Sequence, residues 1–344
     1  MLRPESVQTS FYGNHIYDRV IPEHHFLKQL NKAVDFSFVN ELCRDAYTSD
    51  LGRPAYGPGM MFKIIFLQFL YNVSDRRIEE EVHFNLVLKW FTGLAIDESP
   101  PDASSLTRFR DRLGEERFAR IFNQIVEIAR EKGLVSDRLS IVDSTDVKAK
   151  VDIYKMKDNS DTAPDKDARY GYKSQKKPFF GYKAHASMDS DSEFLTKLDT
   201  TPGNTHDGKE FPKVMDTRSR MTTADKAYDS KRNHRLFRRK RTISAIIIKK
   251  NRQSCRLRKH QMKPEIITAQ RERPKIERKF AELKRFHGLK EARYWGLAKM
   301  AIQFTMTAIA CNLKKIVKLL FHQGCPKISK PRSFHQGISV PIFV

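Results

Sequence analysis

A chain of 344 residues, 40% hydrophobic and 31% charged, carries enough apolar material for a large core and too much for a disordered polymer. Its formal net charge of +23 predicts a polyanionic partner, and the usual one is nucleic acid, gripped through its phosphates. Cys43, Cys255, Cys311 and Cys325 lie far apart with no CxxC or Cys/His spacing, so neither a zinc-binding pattern nor a disulfide framework is indicated.

Residues 1–20 read as a loose arm without the apolar core of a signal sequence. From 21 to 134 the pattern is helical. MFKIIFLQFLY (61–71) predicts a buried helix, and Phe118, Ile121, Phe122, Ile125 and Ile128 recur at i, i+3, i+4, i+7 and i+10. Gly93, Gly114 and Gly133 read as helix terminators. In PDASSLTRFRDRL, Asp102 or Ser104 can cap a short helix whose Arg108, Arg110 and Arg112 face either DNA or solvent.

The character changes after Leu134. LSIVDSTDVKAK predicts a strand, and the polar stretch 157–178 reads as a loop or insertion. FFGYKAHASMD (179–189) and EFLTKLDTTPG (193–203) predict a hairpin. A helix is expected at 208–216, a short strand ending at Asp225, a helix in SKRNHRLFRRKR, and a fourth apolar strand over 243–250. A basic loop (249–263) leads to a helix in RPKIERKFAELKRFHGL and to another apolar helix over about 297–320. The run at 300–313 is too short and too polar to span a bilayer, so a cytoplasmic protein with no membrane partner is expected. This order predicts a mixed α/β core flanked by helices at 135–322, after an all-α region at 21–134 and before a tail at 323–344. Between Lys231 and His260 stand thirteen Lys or Arg and no Asp or Glu, which suits a duplex-binding rim or a flexible basic loop.

Three acids stand out. Asp143 interrupts the apolar strand Ile141–Val142, where a carboxylate is costly unless paired or bound to metal. Asp225 ends a strand, and Glu277 lies on the helix between Arg273 and Lys284, at i, i+4 and i+11, beside an apolar stripe of Ile276, Phe280 and Leu283. Three hard oxygen ligands suit Mg2+ or Mn2+, and two such ions can activate water and steady a leaving oxygen in phosphodiester cleavage. Singly, each acid has a plainer reading, as a turn cap, a helix start or an i,i+4 pair. Asp146, Asp229 and Glu282 are rival acids, with Asp146 off the Asp143 face by its odd strand spacing. His185 and His206 read as structural, and Trp295 as a packing residue rather than a base-stacking one.

Taken together, IVDST, TTADKAYDS and IERKFAELKRFHGLKEARYWGL resemble the three catalytic segments of the DDE transposases of bacterial insertion sequences. Arg273, Glu277 and Lys284 match the Arg, Glu and Lys of one group's Tyr-Arg-Glu-Lys signature, while Gln270 stands where the tyrosine would be. GRPAYGPGMMFKIIFLQFLY, SDRRIEEEV and PDASSLTRFRDRL are similar to the same family's helical region, so the resemblance spans about residues 20–320. It implies an RNase H-like catalytic domain after a helical DNA-binding one, with Asp143, Asp225 and Glu277 holding two Mg2+ or Mn2+ ions. Arg273, Lys284 and Lys226 would contact phosphates. The implied partners are the duplex terminal inverted repeats and target DNA, with a homodimer pairing two ends at the bacterial nucleoid. A metal-dependent nuclease that does not join strands, and a DNA-binding protein that has lost catalysis, are the rival readings.

Overall fold

The computed structural model describes residues 11–47, 55–152, 163–174, 177–252 and 254–321. The N-terminal part is helical: α1 Phe11–Val20, α2 Phe26–Ala33, α3 Ser37–Cys43, α4 Pro58–Tyr71, α5 Asp75–Phe84, α6 Leu86–Thr92 and α7 Ala103–Glu131. α1 takes up half of the expected arm, because Tyr17 is buried and its hydroxyl donates to Leu94 O at 3.0 Å. Residues 1–10 of that arm lie outside the described residues. α4 is the apolar centre, with Phe62, Ile65, Phe66 and Phe69 fully buried. Pro58 starts it and Asn72, in the left-handed region, ends it.

Ser74, Asn85 and Asp102 cap α5, α6 and α7 through their side-chain oxygens. Gly93 closes α6 at φ 82°, and Gly114, at φ 65°, breaks α7 into two helical runs as the sequence suggested. The arginine group expected on α7 is split, with Arg108 and Arg112 exposed and Arg110 turned inward. Arg110 is buried, pairs with Asp75 and stacks its guanidinium over Tyr294 at 5.0 Å. Arg112 stacks over Tyr47 at 4.8 Å but stays exposed, as Arg108 does.

The sheet comprises β1 Leu139–Lys148, β2 Arg169–Ser174, β3 Lys177–Asp189, β4 Leu195–Pro202, β5 Met221–Ala224 and β6 Ile243–Ser244. Its order is β2-β3-β1-β5-β6, with β4 also on β3. β3 runs antiparallel to β1, β2 and β4, whereas β5 is parallel to both β1 and β6. With β2 set aside, β4-β3-β1 form an antiparallel meander continued by two parallel strands, the RNase H-like plan that was expected. The described part of 157–178 is not all loop: β2 pairs with residues 177–181 of β3, and β4 takes the edge from 182 onward. Its polar, edge-strand sequence hides the alternation that marks half-buried strands. Where these strands meet, Gly181 allows an approach that a side chain would block, since a Cβ there would lie 2.1 Å from Val147 O.

β6 is shorter than the apolar run 243–250, although Ala245 N and Ile247 N still donate to Thr222 O and Ala224 O at 2.8 and 3.1 Å. The basic loop at 249–263 contains a helix, α10 Cys255–Gln261, capped by Ser254.

α8 Asp207–Val214 and α9 Lys231–Lys240 pack on one face of the sheet, where Phe211, Tyr228, Leu236 and Phe237 meet Val142 and Ala224. α11 Pro264–Arg271 and α12 Pro274–Phe286 follow, and then α13 Leu297–Phe321, which packs against α2, α4, α7 and β4. One apolar core therefore runs from Phe26 in α2 through Ile141 in β1 to Val317 in α13. Buried polar groups on α13 fix its register. Asn312 exchanges two hydrogen bonds with the main chain of Leu195, and Gln303 donates to Gly288 O and Glu291 O. No helix of the described residues is long and apolar enough to cross a membrane.

Candidate active site

Parallel pairing of β1 with β5 sets Val142 beside Ala224, so Asp143 and Asp225 occupy the next rung, at the carboxyl end of β5. Ligand sites of open α/β sheets lie outside such strand ends. Asp225 turns into the Lys226–Tyr228 turn by accepting from Lys226 N at 2.7 Å. Glu277 sits in the first turn of α12, whose Ile276, Phe280 and Leu283 are buried as the stripe predicted.

Arg273 immediately precedes Pro274, the first helical residue, so it stands at the helix entrance rather than within it. From there it reaches both acids: Nη1 donates to Asp143 Oδ2 at 3.1 Å and Nη2 to Glu277 Oε1 at 3.0 Å. Asp143 and Glu277, which are 134 positions apart in the chain, thus share one guanidinium. Burial pushes the Asp143 carboxyl up to about 6, against the pull of the Ser144 amide and of Arg273, and Asp225 and Asp207 push the same way as burial. Positive charge is therefore short at this carboxylate. The donors present are hard carboxylate oxygens, which fit a magnesium-like cation, and Arg273 stands between Asp143 and Glu277 where such charge belongs.

Lys284 does not project free beside Glu277. Its Nζ meets Asp146 Oδ1 at 3.0 Å, which ties the end of α12 to β1. The Asp146 set aside as facing elsewhere is therefore a neighbour of this site, because α12 lies along β1 and reaches both acids from its two ends. The other rivals are structural. Asp229 is buried and accepts from His234, Arg252 and the Lys249 amide at 2.7 to 3.0 Å. Glu282 pairs with Lys279 and Lys314. Glu282, His287 and Cys311 bring ligand atoms within 4.8 Å of one another, but Lys279 and Lys314 donate into that cluster and already supply its positive charge.

His185 is buried and bonded to Thr201 at 2.9 Å, and His206 caps α8 by accepting from Gly208 N, both structural as expected. Trp295 is 54% exposed, which corrects its reading as a packing residue; Nε1 donates to Lys150 O at 3.4 Å. Gln270, in the tyrosine position, donates to Gln261 Oε1 at 2.7 Å and Ala245 O at 3.3 Å, so it braces α11 against the strand edge.

Sequence reasoning missed Asp207, Lys183 and Tyr228. Asp207 opens α8, accepts from Lys183 Nζ at 2.9 Å and adds its charge to the field at Asp143. Lys183 is the β3 partner of Asp146. The buried Tyr228 hydroxyl lies beside Ser144, Asp143 and Asp207 without a hydrogen bond of good geometry. A short spacing, Asp225 to Tyr228, was the available signal for the tyrosine; the other two depend on strand pairing.

A cryo-EM structure of the piggyBac transposase synaptic complex with hairpin DNA is similar with a TM-score of 0.40 and 11% identity, over 90% of this chain and 76% of that one. A transposase domain model (DUF772) matches residues 15–112, across the helical region. The transposase DDE domain model matches residues 135–313, more than half of the chain and all of the site described above. Membership carries with it DNA as a partner and dependence on a divalent cation. The chain therefore belongs to the DDE transposases and is a DNA transposase.

Proposed function

We propose that this transposase cuts DNA at the ends of an insertion sequence in the bacterial nucleoid and joins each freed 3′ hydroxyl to target DNA. Asp143, Asp225 and Glu277 are the catalytic ligand set for two ions, Mg2+ or Mn2+. Bound there, the ions would favour the deprotonated nucleophile and offset charge on the leaving oxygen. The observation that supports this reading is a partly buried carboxylate, Asp143, level with Asp225 on the neighbouring strand and joined through Arg273 to Glu277.

In the first round a water oxygen forms a bond to phosphorus as the P–O3′ bond breaks, and the water proton passes to solvent. In the second round the 3′ hydroxyl attacks a target phosphate in the same way, so one phosphodiester replaces another. Arg273 would exchange a carboxylate for a non-bridging phosphate oxygen, for which its forked donors are suited. Lys284, steadied by Asp146, would meet the backbone about 10 Å along α12 from Glu277. Lys226 would follow the strand leaving Asp225. The helical region 21–134 would hold the terminal inverted repeat, and two copies of the chain would pair two ends.

The test uses labelled terminal-repeat duplexes, a plasmid target and Mg2+. Wild type should nick the ends and insert them; Glu277→Gln should bind the ends with unchanged affinity and do neither. Equal loss of binding and cleavage would make Glu277 a structural residue. Nicking without insertion would leave a nuclease.

A further inference from the structure

We propose that the exposed face of α9 captures target DNA, as distinct from the transposon end, and does so without reading its sequence. This rests on the transposase reading above and extends it to a surface outside the catalytic acids. At about 100° per residue, Arg238, Lys231, Arg235, Arg239 and Arg232 fall within an arc of roughly 120° on this ten-residue helix. All five are exposed, while Asn233, Leu236 and Phe237 bury the opposite side. Among the described residues none of the five is in an ion pair. Lys231 and Arg232 occupy the first turn, where the helix dipole favours carboxylates, and no acid is there to offset them. An unpaired cationic stripe whose first-turn members oppose the helix dipole, while Arg238 and Arg239 follow it in the last turn, is a surface suited to a polyanion.

The position of the stripe favours DNA near the reaction. α9 starts six residues after Asp225, and Asn233 pins its first turn to the site by donating to Tyr228 O at 2.8 Å and Gly208 O at 3.0 Å. The whole helix is about 15 Å long, enough to follow several phosphates. The choice of target over end rests on chemistry. The stripe is wholly Lys and Arg, and the helix's two polar side chains of other types are engaged: Asn233 is buried, and His234 bonds Asp229 at 2.8 Å. Phosphate contacts fix position and carry no base information. A surface of that kind suits a duplex whose surrounding sequence changes from one insertion to the next, as the target's does on the reading above, more than a terminal repeat that stays the same.

The test compares wild type with Arg232→Gln/Arg235→Gln/Arg239→Gln, and with the Lys triple at the same positions. Three assays are run in Mg2+: binding of a labelled terminal-repeat duplex, its cleavage, and insertion of precleaved ends into plasmid. The Gln triple should keep end binding and cleavage. It should lose insertion by about tenfold or more, and the log–log salt slope for plasmid binding should fall by roughly 2–3. The Lys triple should restore insertion, because the charge is kept. Parallel loss of end binding would assign the stripe to the ends and overturn the proposal. So would unchanged insertion, or a Lys triple as defective as the Gln one. If wild type itself neither cleaves nor inserts, the catalytic reading has failed instead.

Discussion

Replacing Asp143 with asparagine should make the cation-free protein more stable while abolishing cleavage. The carboxyl is moved from its ordinary 3.8 to about 6, first by burial and then by Asp225 and Asp207, with Arg273 only partly offsetting them. Below pH 3.8 the group is protonated both folded and unfolded and contributes nothing. Between 3.8 and about 6 the unfolded chain ionises while the folded one resists, so stability falls as pH rises. Above about 6 the full penalty applies, about 3 kcal/mol. For a chain of this length that corresponds to about 4 °C in Tm. Asn keeps the shape and removes the charge, so its stability between pH 4 and pH 8 should lack this component. The assay is urea or thermal denaturation of both proteins across that range in EDTA, repeated with Mg2+ in excess. The cation should stabilise wild type by about 2.7 kcal/mol at a hundredfold excess over Kd and leave the variant nearly unmoved. Parallel pH curves in EDTA would show that burial does not govern this carboxyl. Equal stabilisation of both proteins by Mg2+ would place the cation elsewhere.

Arg110→Ala should destabilise the protein rather than simply weaken DNA binding. It removes the charged partner of Asp75, which keeps only the Gln68 amide as donor, at about 3 kcal/mol, which thermal denaturation without DNA would register. Gly181→Ala should lower stability by about 3 kcal/mol, because a Cβ meets Val147 O at 2.1 Å and strand backbone cannot retreat; a normal Tm would mean that the strands separate easily there. Affinity for duplex should fall steeply between 50 and 200 mM salt, about a thousandfold for six phosphate contacts, and a flat titration would remove the electrostatic basis of binding.

Much of the catalytic domain was legible from periodicity. The strand Leu139–Lys148, the hairpin of β3 and β4, and the helices α8, α9, α12 and α13 all follow from apolar runs and turn residues, and the spacing around Glu277 drew out the proposed acids. These features are local, and local chemistry is what a linear sequence displays. β2 escaped because an edge strand with exposed Tyr172 lacks the alternation that burial imposes. Arg110 was misread because Asp75 and Tyr294, its partners, lie far from it in the chain.

By itself the sequence determined the fold class and the polyanionic character of the partner, and it singled out the candidate acids. Only the tertiary structure decided which charges neutralise which. Arg273 joins Asp143 to Glu277, Lys284 turns to Asp146, and the stripe of α9 is left without a partner among the described residues. The physical reason is that Coulomb attraction depends on distance and dielectric, and both are set when parallel strands and packed helices bring remote residues together.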